Sequence, residues 1–460
     1  MSSHGWLRRD HTRGSLGTSL FVLALPLVAS GVLGSGVFQI AELAFLSRLG
    51  EAPLAAVVIT NQTVRQVYFM VAMGLSFATQ SLVARAVGAG DMEQAEHVAG
   101  QALALGVALS LGVAAVGLAI PGPLFAVAGA DPSFAPHGVP YVRLVFLLNF
   151  GVIGTLLFGS ILGGAGDTTT PLVVQLVQFA VAIAAEWLLI FGNLGAPALG
   201  VRGVALGVAT GQVVAMSLGL WLLFRGRSRV HLRRRHVVPD LRAMAAITSI
   251  AWLPAAQMLG GLASNFAFVR LAGDLGEKVQ AAFAISLRIG MIAPIICFPL
   301  AGACATLVGQ ALGAGDVPRA WRAIGIGILA HGVIMWTFAG AVVLFRHELV
   351  AWLSDDPEVM RHGAEFLLYS GLSFFFFGAY FVVLRSLQGA GDFAVPMTLT
   401  LANAFLVTIP LAWWWTHGLG MGAVGIARAQ LAGAAFVTLT TGSWLLGGRW
   451  TRRAAQSPPR

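Results

Sequence analysis

The chain has 460 residues, of which 57% are hydrophobic and only 10% are charged. Too few polar side chains remain to cover a water-soluble particle of this size, so the composition excludes a soluble globular protein. The formal net charge of +9 does not indicate a nucleic-acid partner, because the arginines lie between and beyond long apolar stretches. These stretches reach about 20 residues or more, the length that a helix needs to cross a bilayer. The composition therefore predicts an all-α polytopic membrane protein.

Twelve apolar stretches predict twelve membrane-spanning helices. They cover residues 18–48, 55–87, 94–120, 138–163, 170–192 and 199–224 in the first half, and 243–271, 279–312, 318–345, 362–387, 394–415 and 419–447 in the second. The spans divide the chain into a cytoplasmic N-terminal tail, an N-lobe of spans 1–6, a basic cytoplasmic linker, a C-lobe of spans 7–12 and a cytoplasmic C-terminal tail. In that order the predicted ranges are 1–17, 18–224, 225–242, 243–447 and 448–460.

The distribution of basic residues predicts the orientation of the chain. With both termini on one side, 18 of the 28 Lys and Arg residues fall on that side or at its helix ends, and seven fall on the opposite side. Basic residues stay inside, so both termini and the linker are predicted to be cytoplasmic, in a bacterial-type inner membrane. The apolar run after Arg8 and Arg9 is too long for the core of a signal peptide, so we interpret it as an uncleaved first span.

A repeated tetrapeptide divides the chain into two related halves. Gly-Ala-Gly-Asp occurs at 88–91, 164–167, 313–316 and 389–392, and each first-half copy recurs 225 residues later. Each half has an even number of spans, so the halves share one orientation and their pseudo-two-fold axis runs along the membrane normal. The sequence thus predicts two six-helix lobes, an arrangement that indicates a transporter with its site between them.

The tetrapeptides are predicted to lie in cytoplasmic connections between spans. Glycine accepts the left-handed conformation that ends a helix, and aspartate then caps the helix that follows. We interpret the four aspartates as caps and turn residues rather than as parts of a cytoplasmic gate. They are Asp91, Asp167, Asp316 and Asp392.

Two acidic residues lie within predicted spans, Glu42 in span 1 and Glu186 in span 5. Ionisable groups inside a membrane are costly, so each is expected to have a function or a partner. Both lie roughly 10 Å from the outer ends of their helices, so the two carboxylates could share one cavity. Gln39 and Gln175 continue a polar stripe along the same helices and are candidate lining residues of the substrate cavity. Arg65 in span 2 lies near the depth of Glu42, and a Glu42–Arg65 salt bridge is the alternative to a coupling role.

The second lobe has no acidic residue at the matching positions. This asymmetry predicts that the first lobe handles protons or cations and that the second completes the substrate cavity. Tyr380 in span 10 is a candidate lining residue, whereas Phe374–Phe377 covers every face of its helix. His331 is interpreted as packed and hydrogen-bonded, and Cys297 and Cys304 as packing residues without a disulfide or a metal site.

Four segments in chain order carry a family resemblance. They are Pro26 followed by Glu42 and Ser47-Arg-Leu-Gly-Glu-Ala-Pro-Leu-Ala-Ala56, then Leu82-Val-Ala-Arg-Ala-Val-Gly-Ala-Gly-Asp91, Leu162-Gly-Gly-Ala-Gly-Asp167 with Pro171, and Gly203-Val-Ala205. With the duplicated twelve-span layout, the chain resembles the multidrug and toxic compound extrusion (MATE) transporters over roughly residues 18–447. The resemblance is strongest to the prokaryotic DNA-damage-inducible (DinF-like) branch.

The resemblance implies two six-helix lobes that form a V around a central cavity. It also implies export of cationic or amphipathic small molecules in exchange for protons or sodium, by a monomer in the lipid bilayer and without a cofactor. The DinF-like branch places acids in spans 1 and 5, which match Glu42 and Glu186, and protonation is thought to bend span 1 near its proline, here Pro26. Thr210 in span 6 is a further candidate pocket residue.

Departures from the family pattern bear on the coupling ion. Both acids are usually aspartate in that branch, whereas this chain has the longer glutamate. An asparagine often lies one turn before the span 5 acid, and the alanine here, Ala182, weakens any sodium site. The sodium-coupled branch carries acids in the second lobe, and none lies at depth here. Protons are therefore the expected coupling ion, and sodium is less favoured.

Three alternatives remain open. A flippase for lipid-linked sugars, from the same broader superfamily, usually has a strongly cationic cavity, but only Arg65, Arg288 and Arg428 lie inside spans here. A membrane enzyme is not favoured, because the chain has no His-Glu-x-x-His and no Gly-x-Ser-x-Gly motif. A channel would show ohmic currents rather than saturable, gradient-driven flux.

Overall fold

The computed structural model describes residues 14–128, 132–226 and 229–451, and within these ranges every regular element is a helix. Among the described residues, ten helices are long and apolar enough to cross a membrane. They are Leu16–Ser47, Glu51–Gly88, Met92–Ala119, Thr169–Phe191, Val201–Phe224, Leu241–Asp274, Val317–Leu344, Pro357–Gly389, Ala394–Gly418 and Ala423–Leu446. The prediction of an all-α polytopic membrane protein is confirmed.

The two remaining predicted spans also coincide with helices, so the twelve spans keep their predicted order and are numbered accordingly below. Span 4 is a pair, Ala135–Leu147 and Phe150–Ala165, bent by 44° at its break. Span 8 consists of Glu277–Gly290 followed by Ile292–Gly313. Short helices fill several connections. They are Pro121–Val127, Pro132–Phe134, Asn193–Gly195, Arg234–Val237 and Arg346–Ala351.

The helices form two compact units, and both division points fall inside a continuous helix. The first unit is Leu25–Ala255, and the second begins at Ala256 and also contains the start of span 1, up to Ala24. Span 1 and span 7 therefore each contribute to both units. A proline lies beside each division point, Pro26 in span 1 and Pro254 in span 7. Proline lacks a backbone N–H, so it weakens the helix at these two places.

Each unit has its own apolar core. In the first unit, Leu75, Ile153 and Ile161 belong to a cluster of buried side chains from spans 2, 3, 4 and 6. In the second, the rings of Phe283 and Phe366 meet edge to face, with centroids 5.3 Å apart. Lipid tails are as apolar as these side chains, so close packing rather than the hydrophobic effect holds such helices together.

The four tetrapeptides adopt one common turn. In each copy the second glycine has a positive φ, between 75° and 90°, and the N–H of the aspartate donates to the carbonyl five residues earlier at 2.8–3.0 Å. This is the hydrogen bond that closes a helix C-terminus around a left-handed residue. The first glycine has a different role in the second and fourth copies. A Cβ on Gly164 would lie 2.7 Å from Gln80 O, and one on Gly389 would lie 2.3 Å from Ala305 O, so glycine permits close helix contacts there.

Asp91, Asp167 and Asp316 accept hydrogen bonds from the helix that follows, as predicted for capping residues. Asp91 accepts a hydrogen bond from Gln94 N at 2.9 Å, and Asp316 accepts one from Arg319 N at 2.8 Å. Asp167 accepts from both the N–H and the hydroxyl of Thr170. The carboxylate of Asp392 accepts from the indole Nε1 of Trp444 at 3.0 Å and so joins the start of span 11 to span 12.

The linker folds onto the start of span 3 instead of crossing open solvent. The Gln101 amide donates to the carbonyls of His236 and Val238 at 2.9 and 2.7 Å, and accepts from Asp240 N at 2.8 Å. A Cβ on Gly100 would lie 2.1 Å from His236 O, so the glycine permits this approach. His236 itself is only 2% exposed. The linker segment that precedes span 7 is therefore an ordered part of the first unit.

Charged groups surround this docked segment. Glu93 pairs with Arg235 and also with His236 Nε2 at 3.1 Å, while Glu96 lies 3.7 Å from His236 Nδ1. The hydrogen bond with His236, and then the charge of Arg235, hold the pKa of Glu93 below its usual value. Glu93, Glu96 and His236 are close enough to hold a metal ion. The Arg235 guanidinium already supplies positive charge there, so the group acts as an ion-pair cluster.

Gln101→Leu is expected to release the linker from span 3. The change removes three hydrogen bonds and leaves two carbonyls and one N–H without their partner, at about 1 kcal/mol or more each. We expect a fall of several degrees in the melting temperature of the purified protein. Limited proteolysis should also begin within residues 229–240. Gln94→Leu, a matched change two turns earlier on the same helix, serves as the control. Equal protease resistance in the two variants would contradict the docking role.

Candidate functional site

Glu42 lies at an open polar cavity between spans 1 and 2. The cavity has a volume of about 540 Å³ and is lined by Gln39, Glu42, Asn61 and Arg65 among mainly apolar neighbours. The Arg65 guanidinium donates to Asn61 Oδ1 at 3.5 Å, and the buried Tyr141 hydroxyl donates to the same oxygen at 3.3 Å. Asn61 thereby fixes one wall of the cavity. The predicted polar stripe of Gln39 and Glu42 does face one common space.

Arg65 and Glu42 line the same cavity without a direct ion pair between them in the described part of the chain. The alternative predicted from sequence, a salt bridge joining spans 1 and 2, is therefore not formed in this structure. The Glu42 carboxylate remains open to the cavity and partly exposed.

Glu186 is in the opposite situation, because its side chain is completely buried. Neither carboxylate oxygen has a hydrogen-bond partner within the described residues. The side chain packs against span 6 at Gly207, where a Cβ would lie 2.5 Å from Glu186 Cγ. Ala182 lies one turn before Glu186 on span 5, and its methyl group would lie 2.8 Å from a Cβ on Gly211 of span 6. This close packing of spans 5 and 6 explains why a small residue occupies position 182.

The part of span 1 that carries Glu42 packs on span 5. The segment Gln39–Ser47 contacts the helix Thr169–Phe191, which carries Glu186. Just before Gln39, residues 33–38 form a π-helical segment, and the ring of Phe38 stacks on the ring of Phe179 with centroids 5.0 Å apart. Such wide turns are frequent at functional sites. Glu186 is not among the described residues that line the cavity at Glu42, so a cavity shared by the two carboxylates stays a prediction.

The other candidates from sequence lie in different places. Gln175 packs near Gly34 of span 1, with its Nε2 3.9 Å from an ideal Cβ on that glycine. The Thr210 side chain is exposed, and its hydroxyl donates to the Leu206 carbonyl of its own helix at 2.7 Å. His331 is buried, and its Nδ1 lies 2.7 Å from Gly378 O, as predicted for a packed histidine.

Tyr380 belongs to a buried polar network in the second unit. Its hydroxyl lies 3.0 Å from Thr400 Oγ1, which also accepts from Gln257 Nε2 at 3.3 Å. Gln388 donates to Gln257 at 2.9 Å and accepts from Arg385 NH1 at 2.6 Å. The network joins spans 7, 10 and 11.

Sequence reasoning did not identify most of this network. Arg385 is one of the 18 basic residues that the sequence places on the cytoplasmic side or at its helix ends, but its side chain is only 3% exposed. The repeat offset of 225 residues offered a signal, since it maps Thr400 onto Gln175. An offset of 226 likewise maps Gly260 onto Gly34. Gly34 lies against span 5 near Gln175, and Gly260 lies against span 11 near Thr400. The contact between the first and the fifth helix of a half is therefore present in both halves.

Comparison with known proteins identifies the family. The MatE family model matches residues 26–188 and 255–414, which is well over half of the chain. The chain belongs to the MatE family. MATE proteins are transporters, so this protein is a multi-pass membrane transporter and not an enzyme.

Curated MATE relatives share about a quarter of its residues over nearly the full length. A probable multidrug resistance protein NorM of Thermotoga maritima is 24% identical over 440 residues, covering 95% of this chain and 93% of the relative. A protein of the same name from Pseudomonas putida is 28% identical, with 92% and 93% covered. The FAD transporter of Shewanella oneidensis is 24% identical, with 86% and 87% covered.

Solved MATE structures confirm the fold. One is the outward-facing conformation of a multidrug resistance MATE family transporter of the MOP superfamily. It matches with a TM-score of 0.86 at 21% identity, covering 97% of this chain and 98% of that one. A MOP superfamily transporter from Pyrococcus furiosus, described as having a binding pocket of reverse polarity, matches with a TM-score of 0.83 at 22% identity. This second match covers 94% of this chain and 96% of the other.

Proposed function

We propose that this MATE transporter is a multidrug efflux antiporter that exports organic cations or amphipathic compounds in exchange for protons by alternating access. The observation that carries the proposal is the pair of carboxylates on two packed helices of the first unit. Glu42 lies at an open cavity, and Glu186 is buried without a hydrogen-bond partner among the described residues. The names of the NorM relatives support a multidrug substrate range.

The burial of Glu186 gives a physical reason for coupling protonation to conformation. A buried carboxylate without hydrogen bonds or a counter-ion is costly in its charged form, by several kcal/mol. Loss of its proton therefore favours any arrangement in which spans 1, 5 and 6 separate and admit water or a cation. Return of a proton restores the close packing against Gly207. In this proposal a proton stabilises the packed arrangement of spans 1, 5 and 6, and a cationic substrate stabilises the separated one.

Glu42 would be the first carboxylate to meet a proton from outside, because it faces the open cavity. Arg65 lines the same cavity, so in this proposal its guanidinium supplies positive charge beside the carboxylate once the proton has left in the return step. In this proposal Gln39 and Gln175 provide neutral hydrogen-bonding groups beside the acids, and Thr210 and Tyr380 stay candidate contacts for substrate. Pro26 is the candidate hinge, since it lies beside the division point in span 1.

We prefer protons to sodium as the coupling ion because of the side chains that surround Glu186 in the first unit. A sodium site needs several oxygen ligands around the ion. Ala182, one turn before Glu186, has a methyl side chain and offers no oxygen ligand. A single buried carboxylate is sufficient for a proton.

We further propose a location in the bacterial-type inner membrane, with both termini cytoplasmic and a monomer as the functional form. The basic linker and tails support this orientation. A flippase of lipid-linked sugars is the competing function. The S. oneidensis relative is named an FAD transporter, which shows that anionic substrates occur among similar proteins.

The proposal is tested with purified protein in proteoliposomes loaded with a fluorescent lipophilic cation. We expect an imposed proton gradient to drive efflux and an equal sodium gradient to leave it at the rate of protein-free liposomes. Efflux driven by sodium alone would assign the protein to sodium coupling. Translocation of a labelled lipid-linked oligosaccharide, without cation efflux, would replace the antiporter proposal with the flippase.

A further inference from the structure

A narrow apolar groove opens sideways on the first unit, away from the two glutamates. It has a volume of about 280 Å³ and lies over span 4, between span 3 and span 6, with the linker residue Val237 at one end. Spans 3 and 6 both pack on span 4, which forms the floor. Among the described residues that line the groove, Ser110 is the one with a polar side chain.

Glycines create the floor of this groove. A Cβ on Gly106 would lie 2.4 Å from Leu157 Cδ1, and one on Gly154 would lie 2.7 Å from Met216 Sδ. Because these two glycines have no side chains, the three helices approach closely at the base of the groove, where Phe158 of span 4 also lines it. On span 6 the groove runs from Met216 to Phe224, about 12 Å along the helix axis. This shape suits one extended hydrocarbon chain.

The surroundings of the groove indicate what fills it. Its walls belong to membrane-spanning helices, and Val107 on its rim is 61% exposed, so lipid is the medium that the groove meets. The hydrophobic effect does not select an occupant here, because acyl chains are already in an apolar solvent. Selection must therefore come from the fit of the chain and from charges at the mouth.

The mouth of the groove is strongly basic. Arg225 directly follows the lining residue Phe224, and its guanidinium lies over the Trp221 ring at 4.8 Å. Arg233, Arg234 and Arg235 precede the lining residue Val237 and have exposed side chains. In all, residues 225–242 contain seven arginines and one acidic residue. Clusters of this kind beside a membrane-spanning helix attract anionic lipid headgroups.

We propose that this groove binds one acyl chain of an anionic phospholipid, whose phosphate lies at the arginines of the linker. The lipid then holds the linker against the first unit, next to the Gln101 contacts that dock it on span 3. The site is independent of which substrate or ion the transporter moves. Its ligand is phosphatidylglycerol or a similar anionic lipid.

The test measures lipid retained by the purified full-length protein. Protein is released from nanodiscs of equal parts phosphatidylglycerol and phosphatidylcholine, and bound lipid is counted by native mass spectrometry. Wild type should retain phosphatidylglycerol in preference to phosphatidylcholine. Arg225→Gln should reduce that preference about fivefold, the effect of one arginine near an anionic lipid. Equal retention of the two lipids by wild type would overturn the proposal.

A pair of variants tests the groove itself. Ala104→Leu fills the groove and should remove most of the retained phosphatidylglycerol. Ala108→Leu adds the same atoms one turn further along span 3, at an exposed position, and should retain the wild-type amount. Matching melting temperatures establish that both variants fold. If the two folded variants retain equal lipid, the groove does not hold the acyl chain and the proposal fails.

Discussion

Glu186→Gln is expected to reduce proton-driven efflux by roughly two orders of magnitude, the scale on which loss of an acid–base group acts. The amide cannot release a proton, so burial of the side chain against Gly207 no longer depends on protonation. The variant should remain folded, because the amide replaces the carboxyl group with nearly the same shape. Efflux of a fluorescent cation from proteoliposomes under a proton gradient provides the measurement.

Glu277→Gln is the matched control for this change. Glu277 is an exposed glutamate at the start of span 8, outside the first unit, and its replacement should leave efflux unchanged. A Glu186→Gln protein that transports as fast as the Glu277→Gln protein would show that Glu186 is a packing residue. In that case coupling would have to rest on Glu42 alone.

Gly207→Val is expected to destabilise the first unit by about 3 kcal/mol, the upper part of the range for overpacking. A Cβ at this position would lie 2.7 Å from Glu186 N and 2.8 Å from Glu186 Cα, as well as 2.5 Å from its Cγ. Two of these atoms are backbone, so no change of rotamer relieves the clash and spans 5 and 6 must separate. The melting temperature should fall by several degrees, and proton-driven efflux should fall with it.

Gly159→Val controls for the change of residue type. Gly159 lies within span 4, and an ideal Cβ there meets nothing within 4 Å. Valine has a better helix propensity than glycine, so this variant should be as stable as wild type or slightly more stable. Equal stability of the Gly207→Val and Gly159→Val proteins would contradict the tight contact between spans 5 and 6.

Features that depend on local chemistry could be predicted from the sequence. The tetrapeptides specify a left-handed glycine and a capping aspartate, and all four copies adopt the same turn. The positions of the spans followed from apolar length alone. The similar depth of Glu42 and Glu186 stays a prediction, because it rests on distances counted along regular helices from the same side.

Features that depend on neighbouring helices could not be predicted. Span 4 bends by 44° where Asn149 donates its amide to Phe146 O at 2.5 Å and to Ser110 O at 3.0 Å. The second acceptor is on span 3, so the bend needs a tertiary contact. Burial of Arg385 likewise depends on Gln388, which is itself positioned by Gln257 on span 7. A polar residue near a helix end gives no sign of whether another helix covers it.

Proton release on substrate binding tests the central claim most directly. Purified transporter in weakly buffered detergent solution is mixed with a lipophilic cation, and a pH indicator reports protons released per protein molecule. We predict release from wild type, a reduced amount from Glu42→Gln or Glu186→Gln, and none from the double variant. Release of the wild-type amount by the double variant would contradict coupling through these two carboxylates.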